Sequence, residues 1–170
     1  MSKKKLNLKP GPIVPIPHEF NLPQINPKDV IARKIIAGLI KPSEQIQQVG
    51  IDLTIAESVE IPHGSFRNVQ LNEKFDMQNT FGLLWIRSSL SRQGIFMSCG
   101  VFDPGFKGIG GVSFYNLSGK AAMIFKDFRV CQIVCFRADA SSLYKGFYQH
   151  SGSIKSQYDA KGGSNDAQKA

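Results

Sequence analysis

"RSSLSRQGIFMSCGVFDPGFKG", residues 87–108, sets hydroxyls, two arginines and a carboxylate in one run punctuated by glycine, and its apolar residues keep no helical period. Short apolar pieces bounded by Gly, Pro and Ser read instead as strand, loop and strand. The Asp-Pro-Gly at 103–105 is a turn signal, with Asp103 in the first position and Pro104 in the second. The same carboxylate, at a hairpin edge within reach of a small substrate, also suits general-base chemistry. At the other end, Arg87, Ser88 and Ser89 combine a guanidinium with hydroxyls and backbone N–H groups. That set suits phosphate oxygens and is equally ordinary in a Ser-rich turn or helix cap.

Outward from this stretch the pattern repeats. "VGIDLTI" (49–55), "SVEIP" (58–62), "FGLLWIR" (81–87), "GIFMSCGVF" (94–102), "GGVSFYNL" (110–117), "KAAMIFK" (120–126) and "RVCQIVCFRA" (129–138) each read as a short strand. Their spacing of about ten residues predicts an all-β barrel or sandwich of jelly-roll type. One helix is expected, from Asn26 to Gly38 in "NPKDVIARKIIAG": Asn26 caps it, Pro27 suits its first position, and Val30, Ile31, Ile35 and Leu39 recur at helical spacing. Five prolines within residues 1–26 make that segment an extended or disordered arm. A barrel domain is expected over 27–149, and a Ser/Gly/Lys-rich mobile lid or tail over 150–170.

Composition narrows the function. The chain has 170 residues, 42% of them hydrophobic, enough for one domain with its own core. No apolar run is long enough for a membrane span and no secretory leader is visible, so a cytoplasmic protein without a membrane partner is expected. Lys and Arg number 21 against 13 Asp and Glu. Much of the excess sits in "MSKKKLNLK" and near the end, without an interleaved aromatic series, so a nucleic-acid partner is not expected, whereas a small anionic ligand is compatible. Cys99, Cys131 and Cys135 lack CxxC spacing and a nearby histidine, which predicts buried thiols rather than a metal site.

Asp52 lies inside the apolar "VGIDLTI", where a carboxylate is costly unless a cation or donors compensate it. Pairing with an arginine and a functional role both satisfy that need. "KGIGG" (107–111) lacks the Lys-Ser/Thr ending of a phosphate loop, so its glycines mark a bulge or close strand packing. GxSxG, HExxH and the HxE with PCxxC pattern are all absent, which removes the usual signatures of acyl transfer and zinc hydrolysis.

In order, "VGIDL", "RSSLSRQG", "GVFDPGFKG" with "VSFYN", and "RVCQIV" resemble the successive motifs of the trimeric dUTPase and dCTP deaminase superfamily. The likeness runs over about residues 40–163 and is nearest to archaeal-type dUTPases of the deaminase-like branch. It implies a homotrimeric, distorted β-barrel or jelly roll with Mg2+-dependent sites between subunits. Asp103 would activate the water that attacks the α-phosphate. Phe106 would face the deoxyribose. Arg87, Ser88 and Ser89 would hold the triphosphate from a neighbouring subunit, with Gln132 close by and Asp52 reaching the magnesium through water.

Ser113 stands where the deaminases carry a catalytic glutamate, which favours dUTP diphosphatase chemistry, yielding dUMP and pyrophosphate, over deamination. Met97 replaces an asparagine that reads uracil in dUTPases, leaving backbone groups of Ser98, Cys99 and Gly100 to read the base. In "SQYDAKGGS", which resembles the deaminase tail, Tyr158 would stack on the base and Lys161 would touch phosphate. A dCTP deaminase, a bifunctional enzyme and a non-catalytic trimeric nucleotide-binding or structural homologue are the alternatives to a protein acting on a deoxyuridine nucleotide.

Overall fold

The computed structural model describes residues 24–139 and 141–154. Helix α1 (Pro27–Ala32) begins as its sequence dictates: the Asn26 side chain accepts from the Lys28 N–H at 2.9 Å, and Pro27 fills the first turn. It stops well short of Gly38. Lys34 takes a left-handed φ of +58°, and Ile35 and Ile36, both fully buried, turn into strand β1 (Ile36–Ala37). The apolar spacing that reads as one helix is shared between a helix and a strand. Gly38, φ +82°, turns the chain after β1 instead.

A second short helix, α2 (Pro42–Gln45), leads into β2 (Ile51–Thr54) and β3 (Val59–Ile61). The longest strand, β4 (Phe66–Asp76), is followed by β5 (Thr80–Ile86), helix α3 (Ser88–Ser91) and β6 (Ile95–Ser98). Then come β7 (Lys107–Asn116), β8 (Ala122–Ile124) and β9 (Arg129–Arg137). All seven apolar pieces contain a strand. β4, α2 and α3 are additions that the sequence pattern conceals.

All pairings are antiparallel, in sheets ordered β1-β4-β7-β6, β2-β9-β5 and β3-β8. This is the expected all-β jelly roll with a few short helices. Leu53 and Ile133 from one large sheet meet Leu71 and Phe114 from the other in a fully buried core. The β4–β7 register slips between Gln70 and Lys74, a bulge opposite the glycines at 110–111. A Cβ on Gly110 would lie 2.5 Å from Phe102 Cζ, so close packing is the reason for glycine there.

The core also holds charge. Glu73 is fully buried, and its carboxylate accepts from Gln45 Nε2 at 2.7 Å, Thr54 Oγ1 at 2.8 Å and the Thr54 N–H. Burial still pushes its pKa above the usual carboxylate value, against the opposing pull of those donors.

Cys131 and Cys135 are buried as expected, and burial raises both thiols, Cys135 to about 12. Cys99 is not: it is exposed, because the chain leaves β6 at Ser98 and the apolar neighbours Gly100 and Val101 are themselves exposed. Among the described residues no helix is long and apolar enough to cross a membrane.

Candidate functional site

The turn after β6 is built as its sequence requires. The Phe106 N–H donates to Asp103 O at 3.0 Å, closing Asp103-Pro104-Gly105-Phe106, and Gly105 takes φ +82°, which favours glycine at the third position. The turn is held from behind by the segment between β4 and β5. Gly105 N–H donates to Gln78 O at 2.7 Å, and Met77 N–H donates to Phe106 O at 2.8 Å. Asp103 is thereby displayed, exposed, at the rim of a cleft of about 510 Å3.

Strand β7 forms much of the cleft wall, from Ile109 to Ser113. Ser98, Cys99 and Gly100 line it together with Asp103 and Phe106, so five of the expected residues converge. Ser113 lies there too, in register with Asn68, and its hydroxyl donates to Asn68 Oδ1 at 2.5 Å. Four rings step from the core to the cleft: Phe75 on Phe102 at 4.4 Å, Phe102 on Phe106 at 5.6 Å, and Phe106 on Tyr144 at 5.7 Å. Phe106 therefore arrives with a fixed orientation.

Residues 143–154 strap the turn from outside. Tyr144 N–H donates to Pro104 O at 2.7 Å, and Gln149 bridges the turn by donating to Gly105 O and accepting from Lys107 N–H, both at 2.8 Å. His150 N–H reaches Lys107 O, and Ile109 N–H reaches Ser151 O at 3.0 Å, which ties the segment to the start of β7. Tyr144, Tyr148 and Ile154 complete the cleft lining. Tyr144 and Tyr148 lie in the short aromatic run LYKGFY (143–148), and nothing in that local pattern marks them as site residues. Tyr158 and Lys161 lie outside the described residues.

The remaining expected residues form a second group. Asp52, on β2, is almost fully buried and takes Arg87 Nε at 3.3 Å and Arg129 Nη1 at 3.4 Å on one oxygen, with Gln132 Nε2 at 3.2 Å on the other. The β2–β9 register dictates this, since Asp52 lies opposite Gln132. Ser88 Oγ accepts from Arg92 Nη2 at 3.2 Å. Ser89 Oγ is buried and, among the described residues, has no hydrogen-bond partner. None of Asp52, Arg87, Ser88, Ser89 and Gln132 lines the Asp103 cleft.

A resident magnesium ion does not fit these residues. Both Asp52 oxygens are engaged by cationic or amide donors, and among the described residues no group of three or more His, Cys, Asp and Glu could hold a metal.

A family model described as dUTPase matches residues 37–158. A probable deoxyuridine 5'-triphosphate nucleotidohydrolase of Aeropyrum pernix is 30% identical over 120 residues, covering 68% of this chain and 75% of that protein. A dCTP deaminase of Pyrococcus abyssi is 31% identical over 134 residues, covering 66% of this chain and 86% of that one. The chain spans only 8% of a longer relative, the Pol polyprotein of Ovine maedi visna related virus. Among solved structures, native EIAV dUTPase shares the fold with a TM-score of 0.54 at 20% identity, covering 65% of this chain and 93% of that one. The matched stretch contains both the Asp103 cleft and the Asp52 cluster, and on that footing the chain belongs to the dUTPase family.

Proposed function

We propose that the protein is a dUTP diphosphatase. Water attacks the α-phosphorus of dUTP and gives its proton to Asp103; the bond from that phosphorus to the oxygen bridging to the β-phosphate breaks, and pyrophosphate leaves dUMP behind. One observation carries the reading: among the described residues Asp103 is the only carboxylate lining the cleft, and Ser113 occupies the β7 wall where a deaminase needs a second acid. One carboxylate suffices to activate water for phosphoryl attack. Deamination needs a group that moves protons between water and the base, and a Ser113 hydroxyl already donating to Asn68 is unsuited to that task.

Among the described residues the cleft itself offers the triphosphate no guanidinium or ammonium group. Arg87, Ser88 and Ser89 of a neighbouring copy supply that grip in this reading, which makes the working unit a homotrimer with shared sites. Ser89 Oγ, buried and without a partner among the described residues, would gain one only when the 87–89 turn shifts toward a ligand or a second chain. Among the described residues no cage for magnesium exists, so in this reading the ion travels with the substrate as magnesium–dUTP.

The test offers dUTP, dCTP and dTTP as magnesium complexes and reads pyrophosphate and ammonia separately. Pyrophosphate from dUTP, abolished in Asp103→Asn, is expected. Ammonia from dCTP would move the protein to the deaminase reading, which the dCTP deaminase relative keeps in view. Full turnover of dUTP by Asp103→Asn would overturn the assignment of the base.

A further inference from the structure

A second cavity, of about 460 Å3, opens at the corner where the chain passes from one large sheet to the other between β4 and β5. Arg33, Arg137, Gln78, Asn79 and Thr80 line it, with Ile35 as its one large apolar side chain. No acid does. Among the described residues neither guanidinium makes an ion pair or a side-chain hydrogen bond, although Asp29 and Asp139 are near in sequence. Arg33 and Arg137 are both exposed, and two guanidiniums without acidic partners bordering one cavity create a positive field that favours an anion there.

The backbone fixes both arginines to this corner. Gln78 Nε2 donates to Arg33 O at 3.0 Å, Arg137 lies in register with Thr80, and Ala138 N–H donates to Asn79 O at 3.0 Å. The Asn79 side chain has no partner among the described residues and adds an amide to the wall. Guanidinium and amide N–H groups without a competing carboxylate match the tetrahedral oxygens of phosphate, and they offer nothing to a cation.

The same corner carries the turn of the Asp103 cleft. Gln78 O accepts the Gly105 N–H and Met77 N–H donates to Phe106 O, so one two-residue stretch separates the cavity from that turn. Gln78 sits at φ +47°, a conformation that non-glycine residues seldom adopt and that its neighbours must hold in place.

We propose that this corner is a second anion site, taking a phosphate-class oxyanion between Arg33 and Arg137, and that its occupancy is transmitted through Met77–Gln78 to the turn bearing Asp103. The site stands whether or not dUTP is the substrate, because its ligand is recognised away from the cleft.

The test uses the full chain, 15N-labelled and titrated with inorganic phosphate and separately with pyrophosphate, sodium chloride holding ionic strength constant. Saturable shifts are expected at the Gln78 and Asn79 amides and at Arg33 and Arg137 Nε–H, with Gly105 and Phe106 following at the same midpoint. Arg33→Gln and Arg137→Gln should each weaken binding about tenfold, and the corresponding lysine variants less, because lysine keeps the charge and loses the fork. Shifts that never saturate, that chloride reproduces, or that appear only at residues 87–92 overturn the site. Saturation at Gln78 without a response at Gly105 overturns the coupling. If a glutamine variant does not fold, the wild-type and lysine titrations decide on the same criteria.

Discussion

The cleft beside Asp103 and the cluster around Asp52 both come from motifs with an acid near an arginine or a turn, yet they have opposite physics. Asp103 stands exposed at the rim of an open cleft, with no ion pair among the described residues. Asp52 is nearly buried between two guanidiniums and an amide. A carboxylate kept for chemistry has to meet water, whereas one that orients cations has to be held away from it. Among the described residues the cleft has shape and an exposed carboxylate without cations, and the cluster has cations without lining that cleft. This division is the reason a neighbouring copy enters the proposed mechanism.

Substitutions can break the contrast at each end. Asp103→Asn should lower pyrophosphate release by about a thousandfold, the scale of a lost general base, and leave the melting temperature within a degree or so of wild type. Asp52→Ala should do the reverse in stability, leaving Arg87 and Arg129 without their shared anion. A loss of about 3–5 kcal/mol, or roughly 10 °C in thermal unfolding, is expected. If Asp52→Ala melts like wild type, the cluster is not the structural element described here.

Glu73 gives a third environment, an acid buried with donors and, among the described residues, no cation. Its folded pKa lies above the ordinary value of 4.5, so between that value and its raised pKa the folded chain binds more protons than the unfolded one. The contribution of this group to stability is then greatest below about 4.5 and falls as pH rises through the folded pKa. Urea unfolding of wild type and Glu73→Gln across pH 4.5–7 should show the wild type losing stability relative to the variant as pH rises. A constant difference would mean that the donors, not burial, set the titration.

The smallest effect belongs to the strap. Tyr144→Ala removes one edge-on ring contact with Phe106, worth about 0.5–1.5 kcal/mol. The KM for dUTP should rise about fivefold with kcat nearly unchanged. A fall in kcat alone would place Tyr144 in the chemistry instead.

The turn, the strands around it and the Asp52 partnership are legible because each rests on local signals: Asp-Pro-Gly, short apolar runs, an acid in an apolar strand. β4 is hidden by its own function in the core. Its inward positions are Val69, Leu71, Glu73 and Phe75, and the buried glutamate interrupts an alternation that would otherwise announce a strand. The helix from Asn26 is overread because Ile35 keeps helical spacing from Val30 and Ile31 while belonging to the turn into β1. Tyr144, Tyr148 and the two-arginine corner depend on contacts between segments far apart in the chain, which no local pattern encodes.

The pairing of β2 with β9 also has a consequence for how the molecule comes into being. Asp52 meets Gln132 across eighty residues of chain, and among the described residues β2 pairs with no named strand other than β9. During synthesis the strand bearing Asp52 leaves the ribosome long before the one that covers it, and it must wait with its backbone unpaired. With Ile51 and Leu53 uncovered until β9 arrives, that strand is open to wrong pairing in the meantime, and slowing translation after Thr54 should increase aggregation of the nascent chain.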